Sequence, residues 1–326
     1  MRILHTSDFH LRTTNDEKWF ALKEVLELGR REGIEVMVIS GDFFDRKVDV
    51  EILRTPLRHL FEQYPFQILI LPGNHDYQAF REGYVFGDNV KIFLHHFDPP
   101  WERENVAIWG YPYSLHSEEK ILENLFKLKN LVQKEKINIL LIHAELKEAL
   151  FTEFDSGEEE ERYMRVSLEY FRDLPFHYIL AGHFHTRFNF WNIEEDKYFV
   201  YSGTPVSHTR RETGKRKVNL FEVGGKPSEV ELNTFHYQVE TLTFSPFEEK
   251  DPFEKIKETV EIFPPYAESI LILEGFIDSV KTGWTEKKLK EAVENITAGK
   301  RITLIFNVQD ISAILEHGIF KKFQEK

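Results

Sequence analysis

Residues 178–188 read "YILAGHFHTRF": an apolar strand that stops at Gly182 and delivers two histidines one residue apart. Side chains alternate between the two faces of a strand, so His183 and His185 are expected to point the same way, with Phe184 opposite. Two neutral imidazoles side by side suit a metal ion. An isolated H-x-H also arises by chance, so the rest of the chain has to decide.

Four other short apolar runs end in the same manner. "RILHT" is followed by Ser7, Asp8, Phe9 and His10, and "EVMVIS" leads into "GDFFDR", which sets Asp42 and Asp45 just past the run. "FQILIL" leads into "PGNHD" with Asn74, His75 and Asp76, and "INILLI" ends on His143. Near-continuous apolar runs of this length read as strands buried on both faces. Between them lie helical patterns over Lys18–Arg31, Val50–Phe61 and Glu118–Lys134. Alternating strands and helices predict a layered α/β domain with helices covering the sheet faces. Ligands in such sheets bind beyond the carboxyl ends of the strands, so the polar clusters should converge on one rim.

The converging candidates are Asp8, His10, Asp42, Asn74, His143, His183 and His185. They are too many for one ion. Two ions about 3.5–4 Å apart that share one carboxylate would use them all, which is the arrangement of two-metal hydrolysis.

Composition sets the limits. The chain has 326 residues, 41% of them hydrophobic with 29 Phe, enough for one large domain and a smaller one. It has no cysteine, which removes disulfides and thiolate sites and leaves His, Asp, Glu and Asn to hold any metal. The chain opens on a strand without the pattern of a secretory signal, and no apolar run approaches the roughly 20 residues of a membrane helix, so a cytoplasmic location without membrane attachment is expected. A formal charge of −13 argues against an overall basic nucleic-acid-binding surface and leaves room for a local one. The densest basic stretch is "RRETGKRK", Arg210 to Lys217, and the acidic run is "DSGEEEER", Asp155 to Arg162; solvated surface is the default reading of both.

The set "SDFH", "GDFFD", "GNHD", "IHAE" and "GHFH" resembles the motifs of the calcineurin-like metallophosphoesterase superfamily, in that family's order, over residues 1 to about 205. The resemblance implies a two-layered β-sandwich flanked by helices and a dinuclear metal site, with Mn²⁺ the leading ion and Fe, Zn or Co the alternatives. Carried over residue by residue, it implies one ion on Asp8, His10 and His185, the other on Asn74, His143 and His183, and Asp42 between them. Within the superfamily, "ILHTSDFHL", "GDFFDR", "LPGNHD" and "YSGTP" (Tyr201 to Pro205) resemble the prokaryotic SbcD nucleases. That nearer resemblance implies a DNA exonuclease and single-strand endonuclease of DNA repair, an SbcC-type ATPase partner and, often, a homodimer. At position 45 many archaeal and eukaryotic relatives carry His, and this chain has the Asp of the bacterial type.

The same resemblance implies roles for neighbours of the ligands. His75 would be the general acid for the leaving oxygen, and Asp45 would hydrogen-bond His75 and hold it protonated, with a helix N-cap as the alternative for Asp45. Arg46, Arg210 and Arg211 are candidate substrate contacts, and a surface salt bridge is the alternative for Arg46. The remaining histidines read as ordinary core or surface residues. His208, just after "SGTPVS", is the exception, placed to lie near the rim.

The expected domains are a catalytic domain over residues 1–235 and a cap domain with a C-terminal helix over 236–326. "VNLFEVGGKPSEVELNTF" reads as a hairpin turning at Gly224 and Gly225. Beyond it a helix from Pro252 to Val260, a strand "SILILEGFI", a helix from Thr285 to Ile296 and a strand "RITLIFNV" form a small β-α-β unit, the α+β cap. Only "ISAILEHGIFKKFQEK" follows for an ATPase to grip. Its apolar residues Ile311, Ile314, Leu315, Ile319 and Phe323 are expected to pack on the cap. Three functions stay open on residues alone: a DNA nuclease, a phosphoesterase for small molecules such as cyclic nucleotides, and a binding subunit without chemistry.

Overall fold

The computed structural model describes residues 1–149, 164–185 and 188–317. The acidic run and the residues Ile319 and Phe323 lie outside the described residues. Two compact units emerge: Met1–His208 with Lys215–Thr234, and Thr209–Gly214 with the chain from Phe235 onward.

The first unit runs β1 (Arg2–Thr6), α1 (Glu17–Arg31), β2 (Val36–Ser40), α2 (Lys47–Phe61), β3 (Gln67–Leu71), β4 (Val90–Ile92), β5 (Trp101–Arg103), β6 (Val106–Tyr111), α3 (Glu118–Lys129) and β7 (Ile137–His143). It continues with β8 (Glu145–Leu146), β9 (Arg165–Val166), α4 (Glu169–Arg172), β10 (Tyr178–Gly182), β11 (Asn189–Glu194), β12 (Lys197–Tyr201), β13 (Lys217–Glu222) and β14 (Glu229–Glu231). Two six-stranded sheets result, in the orders β14-β13-β1-β2-β3-β4 and β11-β12-β10-β7-β6-β5. Within them β1 to β4 run parallel, with β4 a parallel edge, as do β6, β7, β10 and β12, while β13, β14, β11 and β5 each join antiparallel to a neighbour.

The apolar runs are continuous because both faces of each central strand are covered. Ile3, Val36, Val38 and Leu69 of one sheet meet Ile139, Leu141, Leu180 and Val200 of the other in a shared inner core. The outer face of the first sheet is covered by α1 and α2 through Leu22, Val25, Leu53 and Leu57. The second sheet is covered by α3 and α4 through Ile121, Leu125 and Phe171. Four layers follow, helix, sheet, sheet, helix.

The helices start where caps allow. Asp16 accepts the Trp19 amide at 3.0 Å at the head of α1, and Ser117 accepts the Lys120 amide at 3.4 Å at the head of α3. Helix α3 stops at Lys129, short of the expected Lys134, because the amides of Asn130 and Leu131 turn to the carbonyls of Lys127 and Leu128 at 3.1 and 2.9 Å and close the last turn.

The strands expected to carry ligands divide between the sheets: β1, β2 and β3 in one, β7 and β10 in the other. Their carboxyl ends are drawn together by small residues. The Ser40 hydroxyl donates to the Leu180 carbonyl across the sandwich at 2.9 Å. A Cβ on Gly182 would lie 2.0 Å from the Ser40 carbonyl oxygen and 2.7 Å from the Ser7 Cβ, so only glycine permits this approach.

The second unit comprises β15 (Tyr237–Phe244), α5 (Pro252–Glu261), β16 (Glu268–Ile277), α6 (Ser279–Thr282), α7 (Glu286–Thr297), β17 (Ile302–Asp310) and α8 (Ser312–Leu315). Its three strands are parallel in chain order, so "YQVETLTF" adds a strand ahead of the β-α-β read from the sequence. Ile256, Val260, Leu289 and Val293 of α5 and α7 pack on Leu271, Leu273 and Val308. Asp251 with Pro252 starts α5 and Thr285 caps α7. Of the apolar face expected to pack on this unit, Ile311 and Leu315 are half-buried and Ile314 is 60% exposed. No helix among the described residues is long and apolar enough to cross a membrane.

The tight seam makes a prediction about stability. Gly182→Ala forces a methyl group into the Ser40 carbonyl and is expected to destabilise the metal-free protein by about 1–3 kcal/mol, read by denaturant titration. An unchanged midpoint would mean that the sheets do not depend on this contact.

Candidate metal centre

The loops after β1 and β2 run side by side, with the amides of Asp8 and His10 donating to the carbonyls of Gly41 and Asp42, each at 3.0 Å. This pairing holds Asp8, His10 and Asp42 in the left-handed region, at φ 56°, 48° and 49°. His183 also has positive φ, 114°. Among the described residues six non-glycine positions have positive φ, and four of them are these candidate ligands. Each such conformation costs on the order of 1–3 kcal/mol and persists only where its surroundings enforce it.

The side chains converge in two groups. In one, His10 Nε2 lies 3.2 Å from His185 Nε2, and His185 Nε2 lies 3.8 Å from Asp8 Oδ1. In the other, His143 Nε2 lies 2.9 Å from Asn74 Oδ1, and the His143 and His183 rings are 5.4 Å apart. Asp42 stands between, its Oδ2 3.3 Å from His143 Nε2 and 3.7 Å from His10 Nε2. Donor atoms on one ion with bonds of about 2.0–2.2 Å lie about 3–3.5 Å from each other, so these nitrogen and oxygen atoms fit two divalent ions sharing Asp42. Asp8, Asp42 and His143 form one potential metal-holding group, and His10 appears in two others, with His185 and His208 and with Asp45 and His75.

The loops are locked from behind. His143 Nδ1 donates to the Ser40 carbonyl at 2.9 Å, the usual way of orienting a metal-binding imidazole. A Cβ on Gly41 would lie 1.9 Å from that Nδ1, and one on Gly73 2.2 Å from Asp42 Oδ1, so both glycines make room for ligand side chains. The His183 amide donates to the Asp8 carboxylate at 3.1 and 3.2 Å, and the His75 amide donates to Asp42 Oδ1 at 2.9 Å.

One expectation needs correction. The two histidines after β10 are not arranged by strand alternation, because the strand ends at Gly182. A turn through His183 sends the two imidazoles to different groups, while Phe184 packs on Tyr201 with ring centres 5.0 Å apart. Asp45 turns one oxygen to His10 Nδ1, 3.5 Å away, and the other accepts Arg12 Nε at 2.7 Å. Its contacts orient His10, and it also stands in one group with His75, a ring nitrogen of which lies within 4.8 Å; the cap residue of α2 is Arg46. His75 lies beside this cluster, its ring 4.6 Å from that of His10. Arg46 pairs with the buried Asp49 at 2.8 Å, the salt-bridge alternative. Arg210 and Arg211 belong to the second unit, where Arg210 pairs with Glu268 at 3.3 Å.

Four supporting residues escaped the sequence reading. Asp76 accepts the amides of Gly73 at 2.7 Å and Phe44 at 3.0 Å, tying "GNHD" to "GDFF". Tyr201 donates to the Ala144 carbonyl at 2.6 Å and accepts the Leu146 amide at 2.9 Å, fixing the exit from β7. Thr204 donates to the His185 carbonyl at 2.9 Å, and Arg216, also bonded to that carbonyl, reaches Thr204 Oγ1 at 2.7 Å. Arg216 lies in the basic run 210–217, for which solvated surface is the default, yet it is only 2% exposed. The sequence cue for it was the apolar strand that starts at the next residue but one.

Electrostatics follow from burial. Burial alone would raise Asp42, but the charge and hydrogen bond of His143 overcome it and hold the carboxyl below its ordinary range. Burial likewise opposes charge on His143, and Asp42 wins, pushing His143 up to about 10. Burial, reinforced by Asp42, pushes Asp76 up to about 7. For Asp45 burial is outweighed by its bonds to His10 and Arg12, which keep it low, and burial with the neighbouring His10 holds His208 well below the usual histidine value.

Residues 1–187 match the family model of the calcineurin-like phosphoesterases, and the chain belongs to that family. It is therefore a metal-dependent phosphoester hydrolase of a family that typically binds two divalent ions. No curated protein matches it. Among solved structures, a dimetal phosphatase from Danio rerio is 10% identical over 68% of this chain and 91% of its own, with a TM-score of 0.46. GAP50, the anchor in the inner membrane complex of Plasmodium, is 12% identical over 68% and 80%, with a TM-score of 0.45. The phosphopantetheinyl hydrolase of Mycobacterium tuberculosis is 15% identical over 62% and 89%, with a TM-score of 0.35. Likeness at this level carries no functional weight.

Two predictions come from this geometry. An ion binding beside Asp42 must displace the proton of His143, which is held up to about 10, so below that value the apparent affinity rises with pH, by up to about tenfold per unit for one proton released. Calorimetric titration of Mn²⁺ into metal-free protein between about pH 6 and 9 checks this, and a flat profile would remove His143 from the ligand set. Asp45→Ala frees the His10 ring and is expected to weaken ion binding by about 10–100-fold in equilibrium dialysis; undiminished binding would show that His10 needs no such support.

Proposed function

We propose that this chain is a two-metal phosphodiesterase that cuts DNA, an exonuclease and single-strand endonuclease of the SbcD type that works in the cytoplasm in DNA repair, with Mn²⁺ as its ion. The observation that carries the chemistry is the position of His75, whose amide is fixed on Asp42 while its ring lies beside that of His10. In this reading Asp8, His10 and His185 hold one ion, Asn74, His143 and His183 the other, and Asp42 serves both. Bound ions would supply an activated water and neutralise the non-bridging oxygens of the phosphoryl group. His75 protonates the leaving oxygen, which in DNA is a poor alkoxide leaving group, a role worth about 10²- to 10⁴-fold in rate.

Support for DNA as substrate comes from "LPGNHD" and "YSGTP", with their resemblance to SbcD nucleases, and from the second α/β unit, which a small-molecule esterase does not need. An SbcC-type ATPase and a second copy of the chain are the partners this reading names. The net charge of −13 favours the other reading, a phosphodiesterase for small molecules such as cyclic nucleotides.

The experiment compares Mn²⁺-loaded wild type and His75→Ala on labelled single- and double-stranded DNA and on a small bis-aryl phosphodiester. DNA cleavage is expected, with a loss of about 10²- to 10⁴-fold in the variant, and a smaller loss on the aryl diester, whose phenolate leaves without a proton. Turnover of the small diester alone would transfer the assignment to small molecules. Full DNA cleavage by His75→Ala would remove the acid role.

A further inference from the structure

His208 belongs to none of the five metal-site motifs, yet the fold delivers it to the first ligand group. Its Nε2 lies 2.8 Å from the carbonyl oxygen of Asp8. Its ring centre is 4.9 Å from that of His10 and 5.0 Å from that of His185, and those two rings are themselves 5.0 Å apart. The three imidazoles form a nearly equilateral triangle, steeply inclined to each other at 79°, 57° and 72°. One ring nitrogen of each lies within 4.8 Å of those of the other two. With bonds of about 2.0–2.1 Å, three imidazoles around one ion have ring centres about 4.5–5 Å apart, the spacing seen here.

We propose that His208 is an additional ligand, through Nδ1, of the ion held by Asp8, His10 and His185. The Asp8 carbonyl can only accept, so Nε2 carries the hydrogen and a neutral ring has its lone pair on Nδ1. Donation of the other N–H to a carbonyl or carboxylate is the habit of metal-bound histidine. His143 does this at Ser40, and His10 faces Asp45. His208 repeats the device with the ring reversed, and its bond also braces the left-handed backbone of Asp8.

The consequence is an asymmetric pair of sites. The first offers His10, His185 and His208 with Asp8 and Asp42, and the second His143 and His183 with Asn74 and Asp42. Imidazole suits Zn and Fe, whereas oxygen donors suit Mn, so the first site holds a softer ion more firmly than the second. This inference rests on the two-ion reading of the site and is independent of the substrate.

The test titrates metal-free wild type, His208→Gln and His208→Leu with Zn²⁺ against a chromophoric chelator. Wild type is expected to bind two ions; both variants should lose at least about tenfold in affinity for one ion and keep the other within about twofold. Gln can still donate to the Asp8 carbonyl, so a Gln variant that binds both ions like wild type would confine His208 to bracing that backbone and overturn the proposal. Should the variants fail to fold, a crystal structure of Zn²⁺-loaded wild type decides. An anomalous peak about 2.0–2.1 Å from His208 Nδ1 supports the proposal, and ions standing beyond bonding distance from it overturn it. Wild type that binds no ion would sink the two-ion reading as a whole, a result distinct from ions bound without His208.

Discussion

A carboxylate buried between two sheets governs this molecule. Asp42 is 1% exposed, and a buried charge is retained only where opposite charge or hydrogen bonds match it. Here one oxygen takes the His75 amide and the other faces His143 and His10, one imidazole from each sheet. The glycines at 41, 73 and 182 exist in service of that meeting, since a methyl group at any of them would strike a ligand or the opposite sheet. The inner core of branched aliphatic residues fixes how far apart the sheets stand, and thereby how far apart the ligands can be.

Much of this was legible in the chain. Runs such as "VMVIS" and "ILLIH" announce strands covered on both faces, and polar residues directly after them announce the rim. Six of the seven candidate ligands gather in two groups, with the seventh, Asp42, between them. What escaped depends on pairing across large separations. Nothing in "GDFFDR" says that Asp45 will face His10 and Arg12, because its partners are set by the register of two loops. Arg216 sits in a run of charges that looks solvated, and only the fold reveals that it props the His185 carbonyl. Strand alternation predicts a common direction for His183 and His185, but the strand ends at Gly182 and positive φ at His183 replaces the pleat with a turn.

The ligand loops are conformationally costly, and the cost is local. Left-handed backbone at Asp8, His10, Asp42 and His183 is enforced by amide bonds between neighbouring loops, by Asp76 and by the Asp8 carboxylate. In the metal-free protein the His143–Asp42 pair provides the charge balance that ions would otherwise provide. A rigid sandwich under strained loops is a pre-organised receptor, in which little rearrangement is left for the moment of binding.

The pairing of β1 with β13 has a consequence for how the chain comes into being. β1 precedes its partners in the chain and is an interior strand of its sheet, flanked by β2 on one side and by residues 217–222 on the other. Some two hundred residues must emerge from the ribosome before that flank is covered, and in the meantime an apolar strand carries an open edge. Residues 209–214 depart for the second unit just before β13 returns, so a cut at that departure would take β13 away and leave β1 bare, whereas one after Thr234 would not. Nascent-chain maturation, rather than the finished architecture, is where this protein is most exposed to mispairing.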